Sequence, residues 1–354
     1  MDQPMTEQRY DWIDQLKGIA MCFIVFGHVT HSSNVPHVVF CYAFHIPLFF
    51  MISGMTEYIH LSRHPEKESI PHVIWKKIKQ LVIPYFLLNL FFIPEYYLNY
   101  SVLRHTGNTS ILSLLKGILY SNSDKYGAPT NATWFLLTLF LAEILFDLLK
   151  RMFKNNPDKL LLAGMFLAMV GYGESISGIR LHYPWHFQAV PMAVFFLSVG
   201  FWFMANKDRV VKTFEGIFKN KFLRALFLLV VFAAGTVLAL KNGKVSIPGS
   251  QYKSIVLYFA ACFCICAVLI YLAMWIRPLW IFKFIGRNTI FYMAAHCVIM
   301  RTMMVVPLLD SWVDKYPAVI AIMLIVILIP LSMFINLCLP FLVGKKYRRR
   351  KKAA

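Results

Sequence analysis

The feature that most constrains the fold is a series of ten apolar stretches, each close to 20 residues long and separated by polar connections. At a rise of 1.5 Å per residue, about 20 residues of α-helix cross the hydrocarbon core of a bilayer. The stretches lie roughly at 16–33, 38–59, 78–98, 132–150, 159–178, 187–205, 222–240, 252–275, 284–309 and 317–343. Peptide groups in hydrocarbon must bond within their own segment, which favours helices. The sequence therefore predicts an all-α integral membrane protein with about ten transmembrane helices.

The placement of the basic residues predicts the direction in which these helices run. The chain carries 36 Lys and Arg against 17 Asp and Glu, a net charge of +19. Even-numbered connections are rich in Lys and Arg and odd-numbered ones are poor: the connection at 206–224 carries six, and the one after 309 carries Lys315 alone. Cytoplasmic connections are enriched in basic residues in this way. We therefore expect both termini in the cytoplasm and no nucleic-acid partner for the charge.

The same pattern sets the expected organisation of the chain. We expect one membrane domain over residues 1–344, followed by a basic cytoplasmic tail over residues 345–354 that faces anionic membrane lipid. The expected location is the inner (cytoplasmic) membrane of the cell, with multiple passes. The oligomeric state is left open by the sequence.

Polar residues within the first stretch suggest where chemistry takes place, because ionisable groups at membrane depth are costly. Lys17 and His28 are eleven residues apart, which places them about 20° apart around a helix and roughly 16 Å apart along it. Asp14 falls about 40° to the other side of His28. One face of this helix is thus predicted to carry a carboxylate and an ammonium near the cytoplasm and an imidazole near the outside.

Other predicted helices carry polar residues at comparable depth. His45 enters from the outside in the second helix, where Pro47 loosens the helix and frees a carbonyl group. Asn288, Tyr292 and His296 recur every four residues and form a polar stripe on the ninth helix. Trp134 opens the fourth helix at the outer interface. Spacing alone does not decide whether these groups face one cavity.

The sequence gives little indication of a metal or nucleotide site. It lacks the metalloprotease pattern HExxH and both glycine-rich nucleotide-binding patterns. All seven Cys residues lie within predicted helices and have no CxxC spacing, which is typical of small buried hydrophobic residues. We expect no metal cofactor.

Several segments resemble the acyltransferase-3 family of integral membrane acyltransferases, in particular its fucose 4-O-acetylase-like branch. The resemblance covers residues 10–30, 44–54, 76–86, 134–140 and 284–296, in the order of the family and over most of the predicted helices. It implies transfer of an acyl group, usually acetyl from acetyl-CoA, to a hydroxyl group of a glycan. The histidine of the family's first helix corresponds to His28. The basic residue eleven positions earlier, often Arg, corresponds to Lys17, which keeps the charge but lacks the bidentate fork.

From these residues we predict a mechanism with His28 as the general base, or as a carrier of the acyl group. His45 is the second predicted catalytic residue, and His45 or the polar stripe would stabilise the developing oxyanion. The remaining assignments are Lys17, Lys76, Lys77 and Lys79 for the CoA phosphates, and Asp14, Asn288, Tyr292, His296 and Trp134 for substrate binding or orientation.

Two other classes of function stay open at this point. Ten helices with polar residues near the midplane also suit a transporter or exporter of a glycan or lipid-linked sugar, although no internal repeat is apparent in the sequence. A histidine site that holds haem or a metal ion is the third. The sequence does not name the acceptor, which ranges from a surface polysaccharide to a lipid-linked or small sugar, and it does not distinguish acetyl from longer acyl groups.

Overall fold

The structure is a computed structural model that describes residues 10–32, 34–66, 68–103, 110–121, 128–177 and 183–346. Within these residues all the secondary-structure elements are helices. The β-type pairing among them is an isolated bridge between Ser246 and Gln251. The all-α class predicted from the sequence is therefore confirmed. Residues 347–354 of the predicted basic tail lie outside the described part of the chain.

The described residues form seventeen α-helices joined by short π-helical and 3-10 segments. In chain order the α-helices are α1 (Asp11–His28), α2 (Pro36–Tyr42), α3 (His45–Arg63), α4 (Ile70–Lys77), α5 (Ile83–Phe91), α6 (Ile93–Tyr97), α7 (Ile111–Tyr120), α8 (Trp134–Met152), α9 (Pro157–Ile176), α10 (Val190–Ala205), α11 (Lys207–Ile217), α12 (Lys221–Asn242), α13 (Ile255–Trp275), α14 (Trp280–Gly286), α15 (Thr289–Met303), α16 (Pro307–Lys315) and α17 (Pro317–Cys338).

The number of helices that can cross a membrane agrees with an integral membrane protein. In the described residues, seven continuous or nearly continuous helices are long and apolar enough, and the number rises to nine if each of two bent pairs counts as one span. α1 has 18 residues but carries Asp11, Asp14 and Lys17. The ten spans predicted from the sequence include α1 and both bent pairs, so that number stays a prediction.

The two ends of the bundle are named here by the residues that lie there. α1 ends at His28, and the connection between α12 and α13 lies at this His28 end. α1 begins beside Arg63, whose guanidinium carbon lies 5.3 Å from the centre of the Tyr10 ring. Lys76 is on α4, which follows α3 at the same end, and we name this the Lys76 end. In the predicted orientation, the His28 end faces the outside and the Lys76 end faces the cytoplasm.

α1 lies inside the bundle, in contact with α2, α3, α13, α14, α15 and α17. Near the Lys76 end its polar side chains are paired with protein groups. Gln15 accepts a hydrogen bond from the Leu279 backbone N–H at 2.7 Å and donates to the Ile276 carbonyl at 3.3 Å. The carboxylate of Asp14 pairs with Arg287 at 2.8 Å. These contacts allow a helix with several polar residues to occupy the interior, where unpaired polar groups are costly.

Two predicted helices are broken near polar residues. The second predicted span divides into α2 and α3 at residues 43–44, because Pro47 offers no N–H to the carbonyl of Ala43. The ninth was predicted as one helix over 284–309, but α15 is followed by α16 at an angle of 118°, with Pro307 at the start of α16. Proline is well suited to the first turn of a helix and poorly suited to its interior, which explains the position of this bend.

α3 and α10 pack closely because each presents a glycine to the other's backbone. A Cβ atom at Gly54 would overlap the Leu197 carbonyl oxygen, and one at Gly200 would overlap that of Met51. Small residues allow helix backbones to approach in this way. This close packing fixes the position of α3, which begins at His45.

We expect Gly54→Ala and Gly200→Ala to destabilise the protein by at least about 1–3 kcal/mol, the usual cost of overpacking a well-packed core. The matched control is Gly173→Ala on α9, where no atom of the described residues, apart from the backbone of its own helix, lies within 4 Å of the added Cβ. Alanine is the better helix former, so this control should be neutral or slightly stabilising. Thermal unfolding of the detergent-purified variants measures the difference, and equal melting temperatures for all three would contradict the close packing.

Candidate active site

A cavity of about 440 Å³ lies at the His28 end of the bundle. Its walls come from α1 and the connection that follows it, the α2–α3 break, the start of α8 with the residue before it, the connection between α12 and α13, and α15. The lining residues are Ile24, His28, Asn34, Tyr42, His45, Ile46, Ala132, Trp134, Lys244, Val245, Ser246, Ile247, Pro248, Gln251, Lys253 and Met293. Three residues that the sequence predicts for the site, His28, His45 and Trp134, thus line one cavity.

The break between α2 and α3 places His45 and Tyr42 beside His28. The rings of His28 and Tyr42 are stacked with centroids 5.8 Å apart, and the Tyr42 and His45 rings meet edge to face at 4.9 Å. Nδ1 of His45 forms a hydrogen bond with the carbonyl oxygen of Cys41. Because a carbonyl can only accept, this bond assigns the proton of a neutral His45 to Nδ1 and leaves Nε2 as the basic nitrogen.

His296 and Cys297 of α15 lie behind His28 and form a connected group with it. The His28 and His296 rings meet edge to face with centroids 5.0 Å apart. The Cys297 sulfur is 3.4 Å from His28 Nδ1 and 3.2 Å from His296 Nε2. His296 Nδ1 donates to the Tyr292 carbonyl oxygen at 2.8 Å, which fixes its tautomer in the same way as in His45.

This group also has the composition of a metal site. One ligand atom from each of His28, His296 and Cys297 lies within 4.8 Å of the others. Three protein ligands of this kind are the number found in open zinc sites. The same contacts are also those of a thiol that links two neutral imidazoles by hydrogen bonds, so the absence of a metal stays a prediction that analysis of the purified protein must test.

The roof of the cavity is the connection at 243–254, named here the roof loop. Ser246 and Gln251 exchange backbone hydrogen bonds of 2.9 and 2.8 Å across a tight turn. At the tip of this turn, the Pro248 carbonyl accepts a hydrogen bond of 2.6 Å from the side chain of Gln188. The loop is also anchored from beneath by three buried side chains, those of Val245, Ile247 and Tyr252.

Trp134 stands at the first position of α8, in a segment held by a buried polar network. Asn89 of α5 donates to the Thr133 hydroxyl at 3.1 Å and accepts from the Thr130 hydroxyl at 2.7 Å. The Trp134 ring meets the His186 ring at an angle of 65° with centroids 5.3 Å apart. The network thus fixes the position of Trp134, whose ring lines the cavity.

Lys77 lies at the opposite end and is engaged in ion pairs. Its ammonium is 2.9 Å from Glu143 and 3.7 Å from Glu57. Glu57 also pairs with Lys150. These four side chains are largely buried, and their charges compensate one another. They lie beside a cavity of about 280 Å³ at the Lys76 end, which contains both acidic and basic residues.

Lys76 and Lys79 are more accessible than Lys77. Lys76 pairs with Glu68 at 3.2 Å and contacts the His60 ring nitrogen at 3.1 Å. Burial alone would raise the pKa of Glu68, but the Lys76 ammonium outweighs it and holds that pKa below its usual value. Lys79 lies 4.9 Å above the Trp75 ring. Both lysines are at the end where a cytoplasmic donor would enter in the predicted orientation.

The other predicted residues lie along α1 and α15, below the His28 group. Lys17 is half-buried on α1, eleven residues before His28, and Asp14 belongs to the ion pair with Arg287 described above. Asn288 accepts hydrogen bonds of 2.7 Å from both Asn336 and Lys345 near the Lys76 end. The stripe predicted on the ninth helix therefore extends from one end of the bundle, through Tyr292 in its buried middle, to His296 in the His28 group.

The structure adds residues that the sequence did not indicate. Cys297 follows His296 directly but was interpreted as a buried hydrophobic residue, since nothing in its spacing marks a partner. Tyr42 and Gln251 enter the cavity through the α2–α3 break and the roof loop. Lys244 carried one signal: it lies on a predicted outer connection, where basic residues are otherwise few.

A known protein family matches most of the chain. The acyltransferase domain model of acyltransferase family 3 matches residues 10–339. The chain belongs to this family. It is accordingly a multi-pass membrane acyltransferase that transfers groups other than aminoacyl groups. No curated protein and no solved structure matches the chain.

We expect Lys77→Met to destabilise the protein, because it leaves two buried carboxylates without their shared cation. Breaking a buried pair in this way costs up to roughly 3–5 kcal/mol. Lys79→Met is the matched control, since Lys79 contacts an exposed indole ring and no carboxylate in the described residues. Thermal unfolding in detergent compares the two. A Lys77→Met protein with wild-type stability and weakened donor binding would instead assign Lys77 to the donor site.

Proposed function

We propose that the protein is a membrane-bound O-acetyltransferase that moves an acetyl group from cytoplasmic acetyl-CoA to a hydroxyl group of a cell-surface glycan or sugar precursor. In this proposal it belongs to the fucose 4-O-acetylase-like branch and resides in the inner membrane. The observation that carries this proposal is the position of His28 in a chain of this family. Its imidazole lines the cavity, and the Nδ1 atom of the ring contacts the sulfur of Cys297.

The neighbours of His28 support its role as the general base. His296 Nδ1–H donates to a carbonyl, so His296 Nε2 is an acceptor and receives the Cys297 S–H. The sulfur then has a lone pair for His28 Nδ1–H. Protons assigned along this network leave His28 Nε2 unprotonated, and within the described residues it forms no hydrogen bond. An imidazole in this state is suited to take a hydroxyl proton near neutral pH.

The reaction then follows with atoms and charge in balance. His28 takes the acceptor hydroxyl proton as the hydroxyl oxygen bonds to the thioester carbonyl carbon. The carbon–sulfur bond then breaks, and the leaving CoA thiolate takes this proton from His28. Amide donors on the cavity wall, at Asn34 and Gln251, are available for the developing oxyanion. His45 is proposed to orient the acceptor, since its Nε2 accepts and cannot donate while the ring is neutral.

The donor is proposed to enter from the Lys76 end. Lys17, Lys76 and Lys79 would attract the CoA phosphates, whereas Lys77 is already engaged by Glu57 and Glu143. From Lys17 to His28 the distance along α1 is roughly 16 Å, which an extended pantetheine arm can bridge. The acetyl group would reach an acceptor at the His28 end while CoA remains on the cytoplasmic side.

Acetyl transfer by the purified protein tests the proposal. In detergent, with acetyl-CoA and a panel of p-nitrophenyl glycosides, we expect acetylated glycosides by mass spectrometry. His28→Ala should lower kcat about 10²–10⁴-fold, the contribution of a positioned base. His31→Ala is the control, since His31 lies at the same end but is exposed beside Asp310. Transfer in detergent requires no membrane-enclosed compartment and so excludes export as the measured activity. Full activity in His28→Ala would overturn the assignment.

The role of Cys297 gives a separate test. Cys297→Ser keeps a group that donates and accepts, so we expect it to retain most of the activity, whereas Cys297→Ala should lower kcat and shift its pH profile because His28 loses its fixed tautomer. Mass-spectrometric metal analysis of the wild-type protein should show substoichiometric metal. A stoichiometric metal ion that both substitutions remove would assign the group to metal binding.

A further inference from the structure

The cavity at the His28 end is lined by cationic residues without acidic ones. Of the described residues that form its walls, two are lysines, Lys244 and Lys253, and none is Asp or Glu. The opposite cavity at the Lys76 end contrasts with this, since there acidic and basic side chains alternate in ion pairs. The first cavity therefore favours a ligand with negative charge.

Lys244 is held at the cavity by a rigid part of the chain. It precedes Val245, which is 1% exposed, in the roof loop. Its ammonium lies 4.6 Å from the centre of the Tyr42 ring, and the same ring stacks on His28. The Tyr42 ring thus contacts both the Lys244 ammonium and His28, the proposed base.

The ammonium of Lys244 has no carboxylate partner in the described part of the chain and contacts the Tyr42 ring. Partial burial lowers the pKa of Lys244 below its ordinary value. A half-buried charge of this kind is stabilised when an anion binds to it.

Lys253 brings a second charge to the same place. Its ammonium lies against Gly243, the residue directly before Lys244. The topology predicted from the sequence does not account for these lysines, because the enrichment of basic residues applies to cytoplasmic connections and the roof loop is predicted to be outside.

We propose that the acceptor carries an anionic group, a carboxylate or a phosphate, and that Lys244 and Lys253 bind this group while His28 takes the proton from a neighbouring hydroxyl. The inference rests on the proposed acetyltransferase function and assigns the acceptor class: an acidic sugar residue. Trp134 offers a flat apolar face for the sugar ring.

The test uses two ligands that differ by one charge, p-nitrophenyl β-glucuronide and its methyl ester. Binding to the full-length protein in neutral-lipid nanodiscs is measured by saturation-transfer NMR, and acetyl transfer is measured from acetyl-CoA. We expect the wild-type protein to prefer the acid. Lys244→Gln should weaken the acid about tenfold or more, the effect of losing one hydrogen bond to a charged group, and leave the ester unchanged. Lys241→Gln, an exposed lysine at the end of α12, is the matched control.

The outcomes separate this inference from the proposed function. Equal binding of acid and ester, or an acid preference that survives Lys244→Gln, would overturn the inference. Acetylation of the ester but not of the acid would keep the acetyltransferase and overturn the acidic acceptor. Lys244-dependent binding of the acid without acetylation would keep the anion site and contradict the acetyltransferase, and binding of neither ligand would count against both. Loss of acid binding in nanodiscs that contain phosphatidylglycerol would assign the lysines to a lipid headgroup instead.

Discussion

The structure depends on pairing the polar groups that α1 places among apolar helices. α1 carries several such groups, and their partners come from the part of the chain between α13 and α15. Arg287 meets Asp14, the chain around α14 meets Gln15, and Cys297 meets His28. Because these partners come from helices far along the sequence, the first helix acts as the centre around which the bundle is assembled. The His28 imidazole is therefore placed by long-range contacts at both ends of one helix.

Much of the fold could be predicted from the sequence because hydrocarbon leaves the backbone few choices. Length and apolarity were sufficient for the spans, and Pro47 indicated the break that positions His45. The bend between α15 and α16 was not predicted, since Pro307 lies within an apolar stretch that reads as continuous. His28, His45 and Trp134 were named from the sequence and line the candidate cavity, and Asn288, Tyr292 and His296 follow one another along α15 as their periodicity predicts; their roles stay predictions. Spacing within one helix gives the face of a side chain, but it does not identify the helix that this face meets. For that reason Cys297 was overlooked.

A basic residue in this sequence can indicate either the orientation of the chain in the membrane or a binding site for an anion. Lys76 and Lys77 are part of the basic pattern that predicts orientation, and the sequence also assigned them to an anionic donor. In the folded protein Lys77 faces Glu143 and Glu57, which lie on two other helices. A count of basic residues along the chain does not register such compensation. Conversely, Lys244 lies on a connection predicted to be outside, where the pattern does not explain a basic residue, and its charge has no acidic partner in the described residues.

The roof loop belongs to a different part of the molecule from the histidines that it covers. It connects α12 and α13, and α12 has most of its surface outside the protein core and packs on α13 and α2. His28, His45 and His296 stand on α1, α3 and α15. In the proposed function, proton transfer and recognition of the acceptor would therefore stand on different segments of the chain. Because α13 packs on α1 and supplies buried core residues, the segment most open to change is α12 with the tip of the roof loop. Substitutions there would change the acceptor while His28 keeps its neighbours on α1, α3 and α15.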